Sequence, residues 1–350
     1  MKRILIIGGS GSWGQELTRQ TLQRDSQAEI TIYSRGEHRQ VDMARQFNNP
    51  RLHFTVGDVR DRDKLLAAAR NMDQIFHLAA LKHVPVCERN PDETVKTNIL
   101  GTLNAVDAAL ANEVEQFVLV STDKAVDPIN TYGVSKSMAE KIVTSANQSS
   151  NRTTFVCIRG GNVLGTQGSV VPLFKEQLIK GNEITITDPE MTRYLMRLQD
   201  AISLIFAAVE DAKGGEIFVM KMPSIRVKTL AEAMVRGLGN KETKIKIIGR
   251  RPGEKLHEAL VSRHEGDRTF EHGNYFVVLP TMDVRNLFTR WGNPVFLQRD
   301  YTSDDNRFLS PDELDTTLQA EGWLNRVPVA DLDKLSKQQL IEFFTNEGWR

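Results

Sequence analysis

Short runs rich in branched apolar residues alternate with longer stretches of helical periodicity over the first half of the chain. The apolar runs are Arg3–Ile7, Glu29–Ser34, Leu52–Val56, Gln74–Leu78, Gln116–Ser121 and Thr154–Arg159. Between them lie Gly14–Arg24, Asp63–Asn71, Pro91–Ala111 and Tyr132–Asn147, which read as helices. Strands that are continuously apolar, rather than alternating, belong in a sheet covered on both faces. Their regular alternation with helices predicts βαβ units and a doubly wound parallel sheet, an α/β fold.

After Gly165 the rhythm breaks. A Gly- and Thr-rich stretch to Thr192 precedes one more helix, Gln199–Ala212, and a strand, Glu216–Met220. The pattern predicts a dinucleotide-type domain over 1–164, to which 193–222 return. A smaller, discontinuous C-terminal substrate-binding lobe is expected over 165–192 and 223–350. Ser310, Pro311 and Glu313 form a helix start with a capping box.

Composition narrows the partners. Lysine plus arginine number 45, as do aspartate plus glutamate, so no global charge favours nucleic acid or an anionic membrane. The 2 cysteines, Cys87 and Cys157, are too few for a disulfide framework. The apolar N-terminal run meets Gly8 after four apolar residues, short of a signal peptide or a membrane span. A cytoplasmic protein with no membrane insertion is expected. The 7 histidines lack metal-ligand spacing, so no metal is expected.

Gly8-Gly9-Ser10-Gly11-Ser12-Trp13-Gly14 falls between the first strand and the first helix. Glycines there let a pyrophosphate approach the backbone and the positive end of the helix, the arrangement of a Rossmann nucleotide site. Ser10, Ser12 and Trp13 belong to the same loop. An NAD-selective site usually ends its second strand in an acid. Here Ser34 and Arg35 follow Tyr33, with His38 and Arg39 close behind, a set suited to a 2′-phosphate, so NADP is the expected cofactor. Asp58 and Val59, after the third strand, are expected against the adenine, with Asp58 accepting from its amino group.

Tyr132 and Lys136 are four residues apart and share a helix face. An ammonium beside a phenol favours phenolate, which is able to accept a proton from a sugar hydroxyl as hydride leaves the same carbon. Together with His77-Leu78-Ala79-Ala80, Asn98-x-x-Gly101-Thr102 and Ser121-Thr122, these pieces resemble the extended short-chain dehydrogenase/reductase superfamily from Lys2 to about Pro280. The resemblance implies that Leu78, Ala79 and Ala80 line the cofactor and that Asn98 braces the site.

A narrower resemblance rests on Ala80-Leu81-Lys82-His83-Val84-Pro85, Ser121-Thr122-Asp123-Lys124-Ala125, Arg159-Gly160-Gly161-Asn162-Val163, Gly168 to Pro172, Ile186 to Arg193 and Arg251 to Lys255. This set is similar to the configuration-inverting UDP-N-acetylglucosamine 4,6-dehydratases of polysaccharide biosynthesis. It implies Thr122 at the carbon-4 oxygen, Asp123 as acid for the carbon-6 hydroxyl and Lys124 as carbon-5 base. Lys124 would then need an amine pKa lowered by burial or by Lys136. Lys82 would lie near cofactor and sugar. Asn162, Val163, Val170, Val171 and Pro172 would meet the sugar and diphosphate, while Arg193, Arg251 and Glu254 clamp the UDP. The implied assembly is a homo-oligomer, a dimer or hexamer.

Retaining dehydratases resemble this chain but carry Asp-Glu where it has Asp123-Lys124. A 4-epimerase on the same scaffold needs neither a carbon-5 base nor a carbon-6 acid. A non-catalytic NADP-sensing protein would typically lack the Tyr–Lys pair. One departure stands out: many relatives have Tyr where this chain has Gly160, a change expected to open space near the diphosphate or acceptor.

Overall fold

The computed structural model describes residues 2–325, apart from 167, 283–285 and 293–294. Two compact units emerge. The first takes Met1–Gly161, Leu198–Met222 and Ala259–Thr302, and the second takes the intervening segments and the C-terminal part.

The first unit is built on a nine-stranded sheet. Its strands β1 (Arg3–Ile7), β2 (Glu29–Ser34), β3 (Leu52–Val56), β4 (Gln74–His77), β5 (Gln116–Thr122) and β6 (Thr154–Gly160) run parallel in the order 3-2-1-4-5-6. That is the doubly wound nucleotide-binding order, with its switch point between β1 and β4. Ile217–Met220 adds to β6 in parallel, and Tyr275–Val278 and Thr269–His272 follow antiparallel. The connecting helices are α1 (Ser12–Arg24), α2 (Glu37–Phe47), α3 (Arg62–Ala68), α4 (Val84–Arg89), α5 (Pro91–Thr94), α6 (Gly101–Ala111) and α7 (Thr131–Ala146).

Burial explains the runs. Leu5, Ile6, Phe76, Phe117, Val118, Leu119 and Phe155 are all fully buried, and the Phe117 and Phe155 rings pack 5.4 Å apart. The stretch expected as one helix over Pro91–Ala111 is interrupted by a π-helical turn, Val95–Leu100. There the Gly101 N–H reaches back to the carbonyl of Lys96. Such widened turns concentrate at functional sites, and this one carries Asn98.

The division differs from the sequence expectation at its edges. Residues 162–164 and 193–197 cluster with the second unit, and 259–302 with the first. The cause is Tyr275–Val278, which pairs with Ile217–Met220 and so extends the first sheet. In the second unit, Leu164, Phe174, Ile184, Leu195, Leu230, Met234, Leu314 and Trp323 share one apolar core. Its helix Pro311–Ala320 begins with the capping box: Ser310 Oγ accepts from the Glu313 N–H at 3.2 Å, and Glu313 accepts from the Ser310 N–H at 2.9 Å. Residues 326–350 of the expected lobe lie outside the described residues. Among the described residues no helix is long and apolar enough to cross a membrane.

Phe117→Ala should destabilise the first unit by about 3–5 kcal/mol, the usual cost of deleting a buried aromatic ring. Guanidinium unfolding followed by circular dichroism reads this directly.

Candidate active site

The glycine loop divides into glycines the fold requires and one it does not. Gly8 has φ +82°, and a Cβ there would stand 2.7 Å from the Ala79 nitrogen. A Cβ on Gly14 would lie 2.2 Å from the Gly9 carbonyl oxygen, so α1 could not start where it does. At Gly11 the nearest atom would be the Gly8 oxygen at 3.5 Å, an ordinary contact. Packing therefore does not explain Gly11, whereas close approach of a ligand backbone to the start of α1 does. Ser12 and Trp13, half-buried, open that helix.

At the end of β2, Ser34 Oγ accepts from Ser10 Oγ and from Gln40 Nε2, both at 2.9 Å. Gln40 also donates to the carbonyls of Ser34 and Thr55, tying β2 to β3. Arg35, His38 and Arg39 are exposed around the start of α2. This is a cationic group beside a preset hydroxyl, and it fits a phosphorylated ribose. Asp58 behaves differently from expectation. Its carboxylate holds the Arg60 fork at 2.6–3.0 Å and lies 3.9 Å from Arg35. Burial alone would raise it, but the bonds and charge of Arg60, with Arg35, hold it below the usual range. An adenine amino group would have to share that carboxylate with Arg60. Val59, beside it, is buried against Gly101.

Leu78, Ala79 and Ala80 follow β4 half-buried, with Leu78 N–H donating to the Ile7 carbonyl at 2.8 Å. Asn98 clamps the same loop in both directions. Its Oδ1 accepts from the Leu81 N–H at 2.8 Å, and its Nδ2 donates to the Leu81 carbonyl and to Ser135 Oγ, each at 2.9 Å. Lys82 keeps an exposed surface, yet the surrounding chain desolvates its ammonium enough to lower its pKa.

At the end of β5, Thr122, Asp123, Lys124 and Tyr132 come together. Asp123 is 1% exposed. Its Oδ1 accepts from Thr122 Oγ1 at 2.9 Å and from Lys124 Nζ at 3.0 Å, while Oδ2 is buried with no hydrogen-bond partner. The pair is thus joined, with the carboxylate buried and the Lys124 side chain 23% exposed. Tyr132 hydrogen-bonds with Thr122 and feels the charge of Lys124. Gly133 makes this closeness possible: a Cβ there would fall 2.2 Å from the Lys124 carbonyl oxygen.

The expected action of Lys136 on the phenol is corrected. Burial pushes Tyr132 up to about 12, and the cation that opposes it most is Lys124. The Lys136 ammonium instead donates to the Val120 carbonyl at 2.8 Å, and burial pushes it down to about 8. Gly160 opens no space at its Cβ position either. It is buried, and Met220 Sδ sits 3.2 Å from where a Cβ would be.

In the second unit, Asn162 Oδ1 is buried without a hydrogen-bond partner. Val163 is buried beyond it, and Val170, Val171 and Pro172 form the first turn of the helix Val170–Lys180. Arg193 departs from the expected open clamp. It donates to the carbonyls of Thr192, Leu256 and Lys255 at 2.7–3.0 Å, so it pins the 254–258 segment to its own strand. Arg251 is exposed, and Glu254 accepts from its backbone N–H at 3.1 Å.

Sequence reasoning missed Gln40, Arg60, Gly133 and Ser135. Only Gly133 carried a visible signal, as a glycine inside an otherwise helical motif. Among the described residues no group of three or more candidate ligands is placed to hold a metal.

Residues 4–280 match the family described as polysaccharide biosynthesis protein. A UDP-N-acetylglucosamine 4,6-dehydratase (inverting) from Campylobacter jejuni is 43% identical over 316 residues, covering 87% of this chain and 93% of that protein. A UDP-glucose 4-epimerase from Rickettsia akari is 41% identical over 323 residues, covering 89% and 94%. Among solved structures, Pen from Bacillus thuringiensis superposes with a TM-score of 0.86 at 36% identity, covering 93% of this chain and 98% of that one.

Gly11→Ala and Gly14→Ala should separate binding from folding. Gly11→Ala is expected to keep its melting temperature and lose dinucleotide affinity at least tenfold, read by titrating Trp13 fluorescence. Gly14→Ala is expected to lower the melting temperature outright.

Proposed function

The chain belongs to the polysaccharide biosynthesis protein family of extended short-chain dehydrogenase/reductases, and we propose that it is an NADP-dependent UDP-N-acetylglucosamine 4,6-dehydratase that inverts carbon 5. The observation that carries the reading is the Asp123–Lys124 pair, with its carboxylate buried, beside Tyr132. A bound nicotinamide would supply hydride chemistry, accepting from carbon 4 of the sugar and returning to carbon 6. The open Gly11, Ser34, the guanidiniums of Arg35 and Arg39 and the His38 imidazole are the groups that would hold it.

In this reading Tyr132 acts as phenolate: it gives up its own proton before catalysis, a form the charge of Lys124 favours against burial, and then accepts the carbon-4 hydroxyl proton while Thr122 holds that oxygen. The resulting ketone acidifies carbon 5. Lys124 removes the carbon-5 proton, and Asp123 protonates the carbon-6 hydroxyl so that it leaves as water. These roles need a neutral amine and a protonated carboxyl. An ammonium–carboxylate pair carries the same number of protons, so one transfer along the 3.0 Å hydrogen bond provides both forms. Returning a proton to carbon 5 from the opposite face gives inversion. On the second unit, Asn162 and the turn at Val170–Pro172 would meet the sugar diphosphate, with Arg251 and Glu254 at the nucleoside.

The relatives named as epimerases favour a second reading, 4-epimerisation. That reaction gives neither Asp123 nor Lys124 a task.

Proton NMR with UDP-N-acetylglucosamine in heavy water distinguishes the readings. Loss of water with deuterium at carbon 5 and an inverted coupling pattern is expected; a 4-epimer with no deuterium would establish the epimerase. Lys124→Ala should abolish product while NADP affinity stays unchanged, and normal turnover in that variant would remove Lys124 from the mechanism. Arg35→Ala should weaken NADP at least tenfold more than NAD, and equal losses would defeat the 2′-phosphate assignment.

A further inference from the structure

Lys136 and Glu140 stand one turn apart on α7, the spacing at which a lysine and a glutamate on one helix face meet. Both are buried, at 4% and 3% exposure. Among the described residues no ion pair joins them. Each is drawn elsewhere. Glu140 gives Oε1 to Arg159 Nε at 3.0 Å and Oε2 to Arg159 Nη2 at 2.7 Å. Lys136 gives its ammonium to the Val120 carbonyl on β5.

Arg159 is itself saturated. Beyond Glu140 it donates to both oxygens of Glu265 at 2.9 and 3.0 Å and to the Leu260 carbonyl at 2.9 Å. The five N–H groups of a guanidinium are then all used, in a residue only 2% exposed. A lysine at this position would hold fewer of these oxygens.

We propose that Arg159 is a positioning residue for Lys136: by occupying both carboxylate oxygens of Glu140 it withholds the counter-ion one turn away and leaves the ammonium fixed at the end of β5. The place of Lys136 in the site rests on the dehydratase reading; the arrangement itself does not.

The groups around Lys136 limit what else could set its charge: Glu140 one turn on along α7, Cys157 on β6 and His77 on β4. Burial is the largest influence on Lys136 and lowers it; Glu140 and then Cys157 oppose that. His77 is pushed down to about 3, first by burial and then by Lys136, so it is neutral and adds no charge. Cys157 is held well above the ordinary thiol range by burial, then by Glu140. Glu140 is thus the largest charged influence opposing burial at Lys136, and Arg159 governs how much of it Lys136 feels.

The test is a carbon-13 NMR titration of the free protein labelled at lysine Cε, with the Lys136 signal identified by its loss in Lys136→Arg. Arg159→Met should release Glu140 towards Lys136 and weaken the ammonium's acidity about tenfold, one pH unit upward. Glu140→Gln should move it about as far downward. Opposite shifts support the proposal, because general loosening of the fold would move both variants the same way. Unmoved midpoints, or two shifts of one sign, overturn it. Should Arg159→Met not fold, Arg159→Lys decides: it keeps the charge but cannot hold both oxygens, so a smaller upward shift is expected and none would overturn the proposal. The titration uses no substrate, so a failed turnover assay leaves it standing, and its own failure leaves the dehydratase reading untouched.

Discussion

Arg159 joins three parts of the first unit that are distant in sequence: β6 where it resides, α7 through Glu140, and the segment after Ala259 through Leu260 and Glu265. Burying a guanidinium and two carboxylates costs several kcal/mol per ion unless every hydrogen-bonding position is met. Here the geometry meets it, and Arg268, 3.6 Å from Glu265, brings a fourth charge that balances the set. Removing one member of such a group costs about 3–5 kcal/mol, because its partner is left buried and uncompensated. The direction of α7 against the sheet is therefore fixed one turn beyond Lys136 and two beyond Tyr132. A site whose parts sit on the end of β5 and the start of α7 inherits its rigidity from that join.

The parallel half of the sheet was legible because its strands are buried on both faces. Such strands write themselves as unbroken apolar runs, and β1, β4 and β6 fall where the runs do. Ile217–Met220 was legible as well, expected over Glu216–Met220, but the strands after it were not, for the same reason inverted. Thr269–His272 is a short edge strand with its last two residues exposed, so no apolar run marks it. Only its pairing with Tyr275–Val278 reveals that 259–302 belongs with the first sheet. The π-helical turn was hidden too, because periodicity over Pro91–Ala111 does not distinguish a continuous helix from one widened around Asn98.

In the site, residue identity and spacing were readable, while the assignment of partners was not. Tyr132 and Lys136 do share a helix face, but burial makes each uncharged form cheaper, and each finds a different partner: Thr122 for the phenol and the Val120 carbonyl for the ammonium. Arg193 looked like a phosphate fork because arginines at such motifs often are. Two backbone carbonyls of the irregular 254–258 segment and that of Thr192 needed donors, and a guanidinium supplies several at once. Gly160 was read as missing bulk, although Met220 from the neighbouring strand lies against it. A sequence states which groups exist; which of them are already spent on the fold depends on neighbours far along the chain.

Asp123 and Lys124 show why that distinction bears on chemistry. Adjacent residues of opposite charge on an exposed turn would be screened and worth little. These two are held where one carboxylate oxygen is paired and the other has nothing to bond. Thr122 caps the turn that holds them, and α7 packs so closely that only a glycine at position 133 fits beneath the Lys124 carbonyl. That packing leaves Asp123 only 1% exposed, while the Lys124 side chain that reaches it keeps 23% of its surface open. On the proposed dehydratase reading, that one pair would supply both the carbon-5 base and the acid for the leaving hydroxyl, from side chains whose places are set by the packing of α7 against the turn.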